Sequence, residues 1–302
     1  MRVVGSLTTI PGRYKKLLRT LQSLRDQDYH LDAIYLSIPY QCRRLNQPYE
    51  PIPVEISNLC NVVHCDEDYG PCTKIIGSLL REDDPTTIIF TFDDDVIYSP
   101  TIVSSMLDYH KKYPNIAIGS SGILIKHGFP FYTIITNSHG NWNFLTGLSI
   151  NTDGLFMDIL CGFSSILYTR GFFPITSLLV DEFLKYPLLD DDVYMNDDIM
   201  ISAYLERKKI DRKIFGGIPK PLKRYDQEID DIDVNAISFD KIIFLNRFRR
   251  ALIKMYEWDF FTVTYHIGIE ETGVGYYVFA LFLFIALIIC VCVYTNNMYI
   301  YY

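Results

Sequence analysis

The sequence predicts an α/β fold built on a largely parallel sheet, followed by one C-terminal membrane helix, and three observations carry that prediction. The chain opens strand–helix–strand, the unit that builds parallel sheets. Thr86–Phe92 (TTIIFTF) is β-branched and aromatic throughout, as expected of a strand buried on both faces. From Val274 to Tyr294 the chain runs VGYYVFALFLFIALIICVCVY, and no charged residue occurs between Thr272 and Tyr302. Of 302 residues, 49% are apolar, enough to bury the core of one domain of ~250 residues.

In chain order, Val3–Thr9 reads as a first strand that breaks at Pro11-Gly12. Tyr14–Arg25 carries Leu17, Leu18, Leu21 and Leu24 at helical spacing, and Ala33–Ile38 is the next strand, stopped by Pro39. Asn61–His64 is a short strand leading to the acidic patch Asp66-Glu67-Asp68, and Lys74–Leu80 is a helix entered through Gly70-Pro71. Thr86–Phe92 runs into Asp93-Asp94-Asp95, after which Ser99-Pro100 opens a helix to about Lys112. Gly128–Phe144 reads as loops and short strands around a site, and Ile159–Tyr168 as a small apolar segment. Asp190–Asp198 is acidic and leads into a helix through about Lys208, and Phe239–Phe261 is an amphipathic helix beside the membrane. There is no internal repeat and no low-complexity tract.

A formal net charge of −8 excludes bulk attraction to nucleic acid or anionic lipid. The seven cysteines form no disulfide or zinc framework, and no Asn-x-Ser/Thr sequon is present. Both facts point to a reducing compartment. The N-terminal stretch has no apolar core and cleavage site of a signal peptide. The apolar run 273–295 is long enough for the roughly 20 helical residues a bilayer needs, tyrosines flank it, and residues 296–302 form a short tail. Arg247, Arg249, Arg250 and Lys254 precede the run and no Lys or Arg follows it, so the expectation is a single-pass protein with its catalytic part on the cytoplasmic side. His266 reads as an interfacial side chain.

Two acidic clusters carry the candidate chemistry. Asp93-Asp94-Asp95 stand at the carboxyl end of a buried parallel strand, where open α/β sheets bind ligands. Adjacent anions repel unless cations or donors compensate, and hard divalent metals take carboxylate oxygens while bridging to phosphates. A solvated acidic turn is the alternative. Asn196-Asp197-Asp198 open a helix, so they read equally as a helix-terminus preference or as a general base able to deprotonate a hydroxyl. At such a position the helix dipole would keep Asp198 ionised. The neighbouring Asp190-Asp191-Asp192 reads as a solvated loop. Lys74, entering a helix after Gly70-Pro71, and Arg13, after the first strand, are candidate neutralisers of a diphosphate.

LTTIPGRYKKLLRTLQSL, IYLSIP, DYGPCTK, IIFTFDDDV, MDILCGFSSILYTRGFF and NDDIMISAYL follow one another in order over residues 3–215. Together they resemble the GT-A fold glycosyltransferases with a DxD motif, of the family 2-like kind. The resemblance implies a catalytic domain over 1–262, with a Rossmann-like nucleotide-binding half (1–98) on a mixed sheet and an acceptor half (99–262). It also implies a nucleotide-sugar donor, Mn²⁺ or Mg²⁺, and a glycan, lipid or protein acceptor. By position it makes Asp95 the metal ligand and Asp93 a ligand of metal or ribose. Thr8, Thr9, Arg13, Lys74, Asp93 and Asp94 would bind the donor. Asp158, Gly162 and Phe163 would line the donor-sugar and acceptor pocket, Asp198 would be the base of an inverting transfer, and Asp197 replaces the family's glutamate beside it. The family's C-terminal metal-binding histidine has no counterpart here. A nucleotidyltransferase on the same sheet, and an inactive membrane adaptor of this fold, are the competing readings.

Overall fold

Val3-Val4 and Ile88-Ile89 show why these strands read as unbroken apolar runs: successive side chains point to opposite faces of a sheet, and here both faces are covered. The computed structural model describes residues 1–128, 131–137, 154–224 and 241–261, all within one unit, Met1–Val263. Its centre is an eight-stranded sheet. In chain order the strands are β1 (Val3–Thr8), β2 (Ala33–Pro39), β3 (Asn61–Cys65), β4 (Ile88–Phe92), β5 (Ile116–Gly119), β6 (Leu155–Phe156), β7 (Ile166–Thr169) and β8 (Asp211–Ile214). In space they run β6-β8-β5-β7-β4-β1-β2-β3.

Strands β1 to β4 are mutually parallel, so their carboxyl ends open on one edge. The chain steps outward from β1 through β2 to β3, then returns to place β4 on the other side of β1. That reversal leaves a crevice at the carboxyl ends of β1 and β4, the topological switch point where such sheets bind ligands. β7 lies antiparallel to both β4 and β5, which makes the sheet mixed.

Five longer helices cover the sheet: α1 (Tyr14–Arg25), α2 (Thr73–Arg81), α3 (Ile102–Lys112), α4 (Asp197–Arg207) and α5 (Lys241–Glu257). Leu17, Leu21 and Leu24 of α1 and Ile102, Val103 and Met106 of α3 bury against Val3, Leu7, Phe90 and Phe92 on one face. Ile75, Ile76 and Leu79 of α2, Ile199 to Leu205 of α4, and Ala251, Leu252 and Met255 of α5 share the core of the other face with Val4, Ile89 and Tyr168. Arg170, only 4% exposed, donates to the carbonyls of Leu79, Glu82, Phe173 and Pro174. It thereby satisfies the carbonyls that a helix C-terminus leaves open and ties α2 to the chain after β7.

Several expectations change. Gly122–Gly128 and Phe131–Asn137 form an antiparallel hairpin, while residues 129–130 and 138–144 of the expected loop region lie outside the described residues. Asp190-Asp191-Asp192 open a helical turn instead of a loop, with Asp191 exposed and Asp190 and Asp192 half-buried. Asp190 caps a helical turn by accepting from the N–H groups of Asp192 and Val193, Asp192 forms a bidentate pair with Arg250 at 2.5 and 2.8 Å, and Asp191 pairs with Arg43 at 2.5 Å.

The membrane reading is corrected. Among the described residues no helix is long and apolar enough to cross a membrane. Among the described residues the last long helix, α5, spans 17 residues and carries Lys241, Arg247, Arg249, Arg250, Lys254 and Glu257, too many charges for hydrocarbon. The expected span 273–295, the tail 296–302 and His266 lie outside the described residues. With no such helix among the described residues, the single-pass, cytoplasmic arrangement and the membrane partner are not carried further.

Close packing at Gly77 generates a test. The Gly77 N–H donates to Ser37 Oγ at 2.8 Å, and a Cβ at Gly77 would stand 2.6 Å from that oxygen and 3.1 Å from Tyr35 Cβ. Gly77→Ala should lower unfolding free energy by about 1–3 kcal/mol in urea titrations, as overpacking does. Adding Ser37→Ala should recover part of the loss; a Gly77→Ala variant as stable as the wild type would contradict this packing.

Candidate active site

A cavity of about 230 Å³ opens where β1 and β4 end, and it gathers both acidic clusters. β1 delivers Thr8 and Thr9, the loop after it Arg13, β4 delivers Asp93, Asp94 and Asp95, and the start of α4 delivers Asn196, Asp197 and Asp198. Lys74, on the first turn of α2, lies between them. Its backbone carbonyl accepts from Ser6 Oγ at 2.6 Å, which fastens α2 to β1.

The three consecutive aspartates have three different surroundings. Asp93 Oδ1 meets Lys74 Nζ at 2.5 Å, and its own N–H donates to Tyr98 Oη at 2.8 Å. Asp94 is turned inward: Thr9 Oγ1 donates to it at 2.5 Å, Arg13 Nη1 at 2.9 Å, and Thr20 Oγ1 donates to its carbonyl at 2.9 Å. With both carboxylate oxygens engaged, Asp94 holds Thr9 and Arg13 in place at the cavity wall. Asp95 Oδ2 lies 3.7 Å from Arg13 Nη1. The three residues lie in the turn that follows β4, so each carboxylate meets different partners.

Lys74 bridges the two clusters. Its Nζ lies 2.5 Å from Asp93 and 2.9 Å from Asp197 Oδ2, and the residue is 5% exposed. Burial works against its charge, but the attraction of Asp197, Asp93 and Asp198 outweighs burial and holds the ammonium well above its ordinary range. Asp198 faces the cavity with protein on its other sides, and Oδ1 accepts from the Gly162 N–H at 2.9 Å. Burial first, and the neighbouring Asp197 second, push its carboxyl well above the usual carboxylate range, against the opposing pull of Lys74. The expectation that the helix dipole keeps Asp198 ionised is therefore corrected. Desolvation and a like charge next door exceed what a helix N-terminus supplies.

Phe163 lines the cavity, and Gly162 borders it through its contact with Asp198. Asp158 does not line it. Its Oδ2 accepts from the Ile125 N–H at 2.5 Å and so joins two backbone segments. Other residues reach the cavity without having been singled out in the sequence: Cys42, Arg44, Tyr49, Asp68, Tyr194, Met195 and Phe248. Asp68 organises one wall, accepting from the N–H groups of Arg43 and Gly70 at 2.8 Å each and from Tyr194 Oη at 2.9 Å. Its local signal was the Asp-x-Gly step at 68–70, where Gly70 takes φ +64° and a Cβ would stand 2.2 Å from the Tyr194 carbonyl. Tyr194 and Phe248 arrive by long-range packing and have no local signal. Burial pushes the Cys42 thiol up, which disfavours thiolate chemistry in the cavity.

No protein-family model matches the sequence, and no curated protein matches it. Among solved structures the chain is similar to S. aureus TarS 1-349, with a TM-score of 0.42 and 13% identity, over 90% of this chain and 77% of that one.

As for a metal, no group of three or more His, Cys, Asp or Glu side chains converges among the described residues. A hard divalent cation of the Mg²⁺ kind is commonly held by one or two carboxylates and completed by substrate phosphates and water. Asp95 and Asp93 both line the cavity, and two carboxylates are the kind of donor such a cation takes.

The buried Asp198 makes stability depend on pH with a definite sign. Its folded-state value lies above that of the unfolded chain, so the folded state holds the proton more tightly. Stability from this group is complete below about pH 4, the unfolded value, and is lost as pH rises through the folded value. Melting curves against pH should therefore fall across that window in the wild type and flatten in Asp198→Asn. A matching test is Gly162→Ala, whose Cβ would lie 2.9 Å from Asp198 Oδ1 and 3.3 Å from Lys74 Nζ; the added methyl should displace both groups and flatten the same pH dependence.

Proposed function

We propose that the protein is a metal-dependent glycosyltransferase that moves a sugar from a nucleotide-sugar donor to an acceptor hydroxyl, with inversion at the anomeric carbon. The observation that carries this reading is the meeting of the Asp93–Asp95 strand end and the Asp197–Asp198 helix start in one cavity, joined through Lys74. A transfer of this kind needs a place for a departing diphosphate and, opposite it, a base for an incoming hydroxyl. The Asp93–Asp95 end with Lys74 supports the first role and the Asp197–Asp198 end supports the second.

On the donor side, Asp95 and Asp93 would hold Mn²⁺ or Mg²⁺, which when bound supplies a Lewis acid for the diphosphate. Thr8, Thr9 and Arg13 stand at the end of β1, where the donor nucleotide would lie. The described lining carries six carboxylates against three cationic side chains, Arg13, Arg44 and Lys74. A dianionic or trianionic diphosphate entering such a wall needs added positive charge, which supports the metal reading on electrostatic grounds. Lys74 is a fixed ammonium beside the position of the leaving group, where preorganised charge contributes most to rate.

On the acceptor side, ionised Asp198 takes the proton of the acceptor hydroxyl as that oxygen bonds to the anomeric carbon. The bond from that carbon to the diphosphate oxygen breaks, and the nucleoside diphosphate leaves with its electron pair. A carboxyl raised toward the working pH is a stronger base than an ordinary one, at the expense of being protonated in more of the molecules at low pH. Asp197, on the preceding position of the helix, would contact the acceptor, and Phe163 the sugar.

Incubation with UDP- and GDP-sugars and Mn²⁺ tests the reading. A nucleoside diphosphate should be released; release of pyrophosphate would instead identify a nucleotidyltransferase, and no turnover with any donor would sink the assignment. Asp95→Ala should abolish the Mn²⁺ dependence of UDP or GDP binding in calorimetry while leaving the melting temperature of the metal-free protein unchanged or slightly raised. Asp198→Asn should reduce transfer by roughly 10²- to 10⁴-fold with donor binding nearly intact, the range for a lost general base. The wild-type rate should rise with pH through the ionisation of Asp198 and lose that limb in the variant.

A further inference from the structure

Lys74 stands between groups that the proposed reaction places on opposite sides, and this arrangement has a thermodynamic consequence. Its ammonium carries three N–H donors. Among the described residues two of them are directed at Asp93, at 2.5 Å, and Asp197, at 2.9 Å. The ammonium also has little freedom on one flank, since the space beside Gly162 would bring even a Cβ within 3.3 Å of Nζ. Its two carboxylate partners stand at the end of β4 and at the start of α4.

We propose that Lys74 is a shared cation for which the donor diphosphate and Asp197 compete, so that donor binding releases Asp197 to receive the acceptor. The inference rests on the reading that this cavity takes a nucleoside diphosphate. Before the donor enters, Asp197 is neutralised by Lys74 and is a poor partner for a hydroxyl. A diphosphate brings several strong acceptor oxygens and more negative charge than one carboxylate, and it draws the ammonium toward the donor side. Asp197 then loses part of its counter-ion and gains accepting capacity beside Asp198. Linkage makes the coupling reciprocal: the factor by which the donor raises acceptor affinity is the factor by which the acceptor raises donor affinity, and a weaker hold of Asp197 on Lys74 favours the diphosphate. Binding is thereby ordered, donor before acceptor, by a single ammonium and without movement of a domain.

The consequence is counter-intuitive for a residue on the acceptor side: its loss should improve donor-side binding. Calorimetric titration of UDP and GDP, each with Mn²⁺, into the full chain would measure it for the wild type, Asp197→Asn, Lys74→Met and the double variant. Asp197→Asn should bind the preferred nucleotide at least about 5-fold tighter, the lower end of ordinary coupling between sites. In the Lys74→Met background the same substitution should change affinity by less than about 2-fold, because the contested cation is gone. Unchanged or weaker binding by Asp197→Asn overturns the interlock. Equal tightening in both backgrounds also overturns it, since that would be a general effect of removing a negative charge. If Asp197→Asn fails to fold, Asp197→Ala provides the same comparison with the same expected sign. Failure of the wild type to bind either nucleotide with Mn²⁺ would remove the glycosyltransferase reading itself, a result distinct from binding that is indifferent to Asp197.

Discussion

Burying the ammonium of Lys74 is the constraint on which the site depends. An isolated charge in that position would lose its water and shift toward neutrality, and only close carboxylates prevent this. Asp93 and Asp197 are 104 positions apart in the chain, and nothing in the local sequence aligns them; they meet across Lys74 because α2 is pressed onto β1 and β2. Gly77 permits that approach, Ser6 holds the carbonyl of Lys74, and Arg170 closes the far end of the same helix. The site is therefore as rigid as the packing of one short helix against the centre of the sheet.

Electrostatics then assigns roles among residues that look alike. Three aspartates in a row would be equivalent by composition, but in the turn after β4 Asp94 is taken up by Thr9 and Arg13 while Asp93 pairs with Lys74. The two aspartates that open α4 differ in the same way. Asp197 has the ammonium of Lys74, whereas Asp198 has a backbone N–H and a like-charged neighbour, and its carboxyl is raised accordingly. Two chemically identical groups one position apart thus acquire different surroundings, which separate their affinities for a proton.

The wall formed by the segment 190–196 shows how much of this is decided at a distance. Arg43 lies 4.6 Å above the ring of Tyr194 and pairs with Asp191, while Arg250 of α5 grips Asp192. The acidic run thus becomes a wall leading into Asn196 and the carboxylates of Asp197 and Asp198. Exposed pairs of this kind contribute little individually to stability. Their importance lies in orienting the entry to α4.

Local chemistry was enough to make several features legible in the sequence. The apolar, β-branched run ending in Asp93 marks a central strand because only two covered faces tolerate such a pattern. Leucines at helical spacing mark α1, and Gly70-Pro71 marks the entry to α2. Carboxylates following a buried parallel strand mark a ligand site, since parallel strands open their ends on a common edge. Tertiary structure alone decided the rest. It inserted β7 antiparallel between β4 and β5, which no periodicity encodes because pairing direction depends on the path of the connection. It withdrew Asp158 from the cavity and brought in Asp68, Tyr194 and Phe248. It also raised Asp198, because a pKa is set by burial and by charges that converge in space, and neither quantity is a property of neighbours along the chain.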